Sequence, residues 1–240
     1  MKKIFKNLIK SGGRQTPAEK ELIKAVSQEL KKKTGIIIIN IGAGKSQVIE
    51  EALITKGINF KLDRLDIRES EIDAPYFRKS YKCSIENCPE LINNSYDLAF
   101  ANYVFEHLEH LSLAIKEVAR ILKPNSIFVL SIPNPQALEF KIAQKTPLAF
   151  HQTIRGEKID ETHEAFTTFY SYKSIKELIN IFYKNSFSLK KSYYRSFLYG
   201  YLYRFPVLSI LARLYDYLVN IFKIKSLSGQ VCLVFEKKEK

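Results

Sequence analysis

The chain has 240 residues, 46% of them apolar, which suits one α/β domain with additions and excludes a disordered polypeptide. Its formal net charge of +13 leaves three readings open: solvated lysines, attraction to an anionic membrane surface, or nucleic acid. The three cysteines, Cys83, Cys88 and Cys232, are odd in number and lack paired short spacings; reduced thiols in a cytoplasmic protein are expected, not a disulfide framework or a zinc site.

At the start, Lys6 and Lys10 interrupt any apolar run, which speaks against a signal sequence, and no later segment supplies the ~18 uncharged apolar residues of a membrane span. Ten of the 38 basic residues fall in the first 33 positions and the rest are scattered, with no RNA-binding module among them, so nucleic acid is the less favoured partner. Thr16-Pro17-Ala18-Glu19 is a capping box with proline at the first helical position, and Leu22, Ile23, Val26 and Leu30 follow on one face.

Gly35 to Ser46 organises the remainder. Four isoleucines, Ile36 to Ile39, are β-branched and too few for a helix, so they predict a strand buried on both faces at the centre of a parallel sheet. Gly42 and Gly44 are expected to adopt backbone conformations closed to other residues and to expose their amides. Ser46 is expected to cap a helix from Gln47 to Lys56 that carries Val48, Ile49, Ala52 and Leu53 on one face. A nucleotide-type ligand belongs at the carboxyl edge of such a unit.

Spacing separates the ligand classes. A phosphate-binding P-loop requires a glycine where this chain has Ile39, and a dinucleotide fingerprint requires one where it has Gln47. The remaining cofactor is S-adenosyl-L-methionine, which carries no phosphate and needs two close backbone approaches. Asn40-Ile41-Gly42-Ala43-Gly44 resembles the first motif of the class I S-adenosylmethionine-dependent methyltransferases, with Asn40 where an acidic residue is usual. The resemblance implies that Asn40, Gly42, Ala43 and Gly44 contact the cofactor. It also implies that the helix after Thr16 lies across the pocket, although packing on the sheet would serve that helix equally.

The second strand is read as Ile58 to Asp63. A carboxylate about 20 residues after the glycines is expected to accept both ribose hydroxyls. Asp63, 21 residues after Gly42, is favoured on count; Asp66, in Leu65-Asp66-Ile67, is its rival. Tyr81 to Glu86 resembles the family segment that borders the adenine. There Ser84 stands where a carboxylate is usual, and Ile85 would add an apolar face.

Asn94 to His107 leads turn residues into an apolar strand that ends in small and polar side chains, and it closely resembles the family's fourth motif. Ala101 and Asn102, at that end, join the cofactor-binding set. His107 and His110 lack the spacing of a metalloprotease site, and no metal is expected. Leu111 to Leu122 reads as an amphipathic helix stopped by Lys123-Pro124-Asn125-Ser126, and Ile127 to Ile132 as the next buried strand. Arg120 to Asn125 is similar to the fifth motif. Asn125 tolerates the positive φ of its turn. Together the five motifs cover Gly35 to Ile132.

Beyond them, Lys145 to Tyr172 is polar and aromatic, the place where the family builds acceptor pockets or lids; His151 and His163 are the candidate general bases. Ser174 to Tyr183 reads as a helix, and Phe187 to Tyr194 and Gly229 to Phe235 as strands. Tyr193 to Lys225 between them is dense in Tyr, Phe, Leu and Ile and punctuated by Arg195, Arg204, Arg213, Lys223 and Lys225. It suits a helical hairpin lying on a membrane or holding a lipid-like acceptor, or a dimer interface or core helix.

The expectation is therefore one Rossmann-like α/β domain over residues 1–240: a seven-stranded methyltransferase sheet, helices on both faces, and a helical insertion before the last strand. Its parts are a basic segment and helix (1–33), a cofactor core (34–135), a substrate or lid segment (136–173) and the aromatic-basic insertion (193–225). The resemblance implies methyl transfer to a small-molecule, lipid-like or glycan acceptor. An inactive cofactor-binding relative and an RNA or DNA methyltransferase are the alternatives, and the oligomeric state is left open.

Overall fold

The computed structural model describes residues 15–31, 33–143 and 168–239. Seven strands form one sheet in the order β3-β2-β1-β4-β5-β7-β6. They are β1 (Ile37–Ile41), β2 (Lys61–Asp66), β3 (Phe77–Lys82), β4 (Tyr96–Asn102), β5 (Leu122–Pro133), β6 (Phe187–Arg195) and β7 (Gln230–Lys237). β1 to β5 pair in parallel, whereas β7 runs antiparallel between β5 and β6.

The isoleucine run makes β1 central, as its composition predicts. Successive side chains point to opposite faces, so Ile39 and Ile41 enter one core and Ile36 and Ile38 the other. The first core includes α3 (Leu111–Ile121) and α5 (Ile175–Lys184), with Phe105, Phe128, Phe182, Phe187 and Phe235 packed ring to ring. The second includes α1 (Pro17–Leu30) and α2 (Val48–Thr55). In α1, Thr16 accepts from the Glu19 amide while Glu19 reaches back to the Thr16 amide, so two donors that no helical turn can satisfy find partners.

β1 and β4 are neighbours although β2 and β3 intervene in the chain, so the connections leave β1 in opposite directions. The carboxyl edge at such a switch point is where open α/β sheets bind ligands. The three-residue 3-10 turn Phe105–His107 follows β4 at this edge. Asn125 has φ 60°, the conformation expected of its turn.

The insertion between β6 and β7 holds a single turn α6 (Tyr199–Leu202) and a long helix α7 (Pro206–Ile221). It is anchored to the carboxyl edge: Asn134, just after β5, donates from Nδ2 to the carbonyls of Lys225 and Ser228. A short helix α4 (Leu138–Ala143) lies beside it, with Phe140 edge-on to Tyr201 at 6.2 Å. Arg195, expected within the insertion, is instead the last residue of β6 and pairs with Glu21 of α1.

Three local readings are corrected. β2 begins at Lys61 rather than Ile58, because Gly57 (φ 72°) turns the chain and the Ile58 amide bonds back to Leu53. Gln47, not Ser46, occupies the helix cap, and α2 buries Ile49, Glu50 and Leu53 while Val48 is exposed. Cys83 and Cys88 form a disulfide, leaving buried Cys232 as the free thiol. The Ser84–Asn87 bridge folds the intervening residues into a tight loop that carries the two sulfurs together. The cytoplasmic expectation thus loses the support of three free thiols. Among the described residues, no helix is long and apolar enough to cross a membrane.

Candidate cofactor site

Gly42 and Gly44 stand at the tip of β1 with φ 68° and 54°, a region that costs other L-residues energy. Their surroundings differ. A methyl group on Gly42 would fall 2.8 Å from Val104 Cγ1 and closer still to Cγ2, whereas nothing lies within 4 Å of one on Gly44. Val104 therefore covers the first glycine, and the surface over the second is open.

The expected exposure of the amides is corrected. The amides of Gly42 and Ala43 bond to the Leu65 carbonyl at the end of β2, and that of Gly44 to Asp66 Oδ2 at 2.8 Å. Beneath the turn, fully buried Arg64 donates from Nη2 to the carbonyls of Ala43 (2.9 Å) and Ser46 (2.6 Å), with Gly44 at 3.4 Å. Its guanidinium is balanced by buried Glu50, 3.7 Å away, and Asn40 Nδ2 donates to the same carboxylate at 2.8 Å. Burial raises the Glu50 pKa, while the Asn40 bond and Arg64 oppose the shift. Asn40 thus holds the turn from below. Its side chain is buried.

The two aspartates separate clearly. Asp66 ends β2 beside the turn, its second oxygen accepting from the Arg68 amide and its carbonyl from the Cys83 amide. Asp63 pairs with Ile39 and Lys79 in the body of the sheet, two residues short of the level of the β1 end. Its carboxylate takes the Tyr96 hydroxyl at 2.8 Å and lies 3.5 Å from Arg78. Burial raises the Asp63 pKa against both partners. Of the two candidates, Asp66 is the carboxylate that the structure places at the carboxyl edge.

The Cys83 amide ties the next loop to Asp66, so Ser84 and Ile85 lie next to the site. Ser84 Oγ is engaged with the amide and carboxylate of Glu86. The Ile85 side chain is 2% exposed and packs in the first core, which corrects its expected role as an adenine face. Ala101, opposite Ile41, is likewise a core residue. Asn102 accepts from Ser131 and approaches Glu19 at 3.4 Å. Next to it, Tyr103 (φ 56°) meets Thr16 through its hydroxyl at 3.3 Å, and burial pushes its phenol well above the usual range. α1 therefore packs on the sheet and also brings its first turn to the carboxyl edge beside Asn102 and Tyr103. His151 and His163 lie outside the described residues.

The arrangement suits S-adenosylmethionine. A bare approach over Gly44, a carboxylate that can accept two hydroxyls, and a polar loop beyond it match a ribose and an adenine. Arg64 is spent on carbonyls below. Sequence reasoning missed Val104, Arg64, Glu50 and Glu86. Arg64 alone left a sign, a basic residue between Asp63 and Asp66 in the middle of a strand.

Residues 39–130 match the family described as the methyltransferase domain. A chain in the complex of the Haloferax volcanii Trm112 methyltransferase activator with a putative methyltransferase superposes with TM-score 0.59 at 14% identity, over 93% of this chain and 94% of that one. An S-adenosylmethionine-dependent methyltransferase from Mesorhizobium loti gives 0.57 at 14%, over 92% and 98%. The cyclase SpnF gives 0.56 at 14%, over 93% and 83%. Over 134 residues the chain is 28% identical to the DNA-directed RNA polymerase subunit Rpo1N of Sulfolobus acidocaldarius, a match covering 55% of this chain. The chain spans only 15% of the length of that curated relative. Residues 39–130 thus match a methyltransferase domain, and the sheet order gives the chain the fold of the solved structures it superposes on.

Proposed function

We propose that the protein binds S-adenosylmethionine over Gly44 and Asp66 and transfers its methyl group to a small-molecule, lipid-like or glycan acceptor. The open surface over Gly44, with the Asp66 carboxylate beside it, carries this reading. When bound, the cofactor supplies an electrophilic methyl carbon on a sulfonium. The chain's part is to hold: Arg64 and Glu50 fix the turn, Asp66 faces the ribose, and the Cys83–Cys88 loop borders the adenine.

Displacement at a methyl carbon is in line, so positioning an acceptor at attack distance is the main catalytic demand. A general base is needed only where the acceptor carries a proton of high pKa. The carboxyl edge is flanked by α4 and the apolar α6–α7 insertion, which favours a lipid-like acceptor over a polymer. A non-catalytic relative is the second reading, favoured by Asn40 and Ser84 both being engaged within the protein and by the likeness to a cyclase fold.

Fractionation of cell extract incubated with the protein and cofactor labelled in its methyl group decides between them. Label in organic or carbohydrate fractions is expected. Label in RNA or DNA, or binding without any incorporation, would refute the proposal.

A further inference from the structure

We propose that α7 docks the protein flat onto an anionic lipid surface. Val207, Ile210, Leu211, Leu214, Tyr217 and Ile221 are each 52–73% exposed. At 100° per residue they share one half of the helix circumference, and no charged residue falls among them. The opposite side buries Ala212, Asp216 and Val219. A helix that meets its own protein with one face and presents the other as an apolar surface is built for a second contact.

Charge selects the occupant. Between Tyr203 and Lys225 the chain has four cations, Arg204, Arg213, Lys223 and Lys225, and one acid, Asp216. That acid is consumed inside: it accepts from the Ser196 hydroxyl and from the amides of Leu198 and Tyr199 at 2.6–2.9 Å. Arg213 lies over the Tyr199 ring at the border of the apolar half. A second copy seated on the same patch would bring like charges together, because a two-fold interface pairs a surface with itself. Lipid phosphates complement it. α7, about 24 Å long at 1.5 Å per residue, is not a spanning helix and fits the plane of the interface. Because Lys225 and Ser228 are tied to Asn134, docking would turn the carboxyl edge toward the bilayer.

This inference rests on α7 alone and not on the methyltransferase reading. Co-sedimentation of the full chain with phosphatidylcholine vesicles, with and without phosphatidylglycerol, tests it. At least about tenfold tighter binding to the anionic vesicles is expected, weakening with salt. Ile210→Glu combined with Leu214→Glu should lower that binding at least tenfold with cofactor titration unchanged, since neither side chain is in the core. A second readout does not depend on the double variant folding. In Leu211→Cys an environment-sensitive dye reacts selectively, Cys232 being buried and Cys83 paired with Cys88. Its emission should shift to the blue on anionic vesicles. No anionic preference, no emission shift, or a dimer in vesicle-free solution that the double variant abolishes would overturn the proposal.

Discussion

Gly42→Ala isolates the local strain at the head of the cofactor turn. The substitution has two separable costs. Holding an alanine at φ 68° costs about 1–2 kcal/mol, and forcing a methyl group against Val104 adds about 1–3 kcal/mol of overpacking. The steric part has a single main neighbour, so Val104→Ala should relieve it and leave the backbone part. Val104 is half-buried, so truncating it alone should cost about 1 kcal/mol. Gly42→Ala should therefore destabilise the parent by roughly 2–5 kcal/mol but the Val104→Ala background by only about 1–2 kcal/mol. Urea unfolding followed by far-ultraviolet circular dichroism reads both, the chain having no tryptophan to report by fluorescence. Equal costs in the two backgrounds would refute the packing argument.

Glu106, 4% exposed, has a carboxyl that burial pushes up to about 8, and its Oε2 has no hydrogen-bond partner. Its folded pKa exceeds the ordinary value of 4.5. The associated stability is therefore present below about pH 4.5 and is lost, to the order of 5 kcal/mol, as pH rises through about 8. Glu106→Gln should flatten that loss and be the more stable form above pH ~8; an unchanged pH slope in chemical denaturation would disprove it. Reducing Cys83–Cys88 opens a six-residue loop and should cost about 2 kcal/mol, lowering the melting temperature by roughly 4–8 °C. Calorimetry showing no shift on reduction would mean that the pairing does not hold in solution. Asp63→Asn should weaken the pairing with Tyr96 and Arg78, so its loss should appear in stability and leave cofactor affinity within about threefold; a tenfold fall in affinity would restore Asp63 to the site.

Much of the fold was legible because its signals are local. An isoleucine run can bury both faces only inside a sheet, a capping box announces α1, and Asn125 permits its turn. Asp63 was favoured over Asp66 on a count from Gly42, which measures chain length, whereas position at the edge depends on pairing. Ile41 sits opposite Leu65, and that register makes Asp66 the last residue of β2. Arg64 could not be read as a support for the turn, since its meaning depends on Glu50 from α2 and on carbonyls that face it only after folding. The disulfide likewise depends on the Ser84–Asn87 bridge. α7 is rich in apolar residues on both sides, so its sequence leaves undecided which half meets the protein; Asp216 settles that by bonding inward.

The central claim is that the open face of Gly44 and the Asp66 carboxylate receive S-adenosylmethionine. Calorimetric titration with S-adenosylhomocysteine, its demethylated product, tests this most directly. One site per chain is predicted. Gly44→Ala should weaken binding while the fold survives, because its methyl meets no atom within 4 Å and the φ of 54° costs only about 1–2 kcal/mol. Asp66→Ala should weaken binding at least tenfold through loss of charge-assisted bonds. No heat from the parent chain, or unaltered affinity in both variants, would contradict the account.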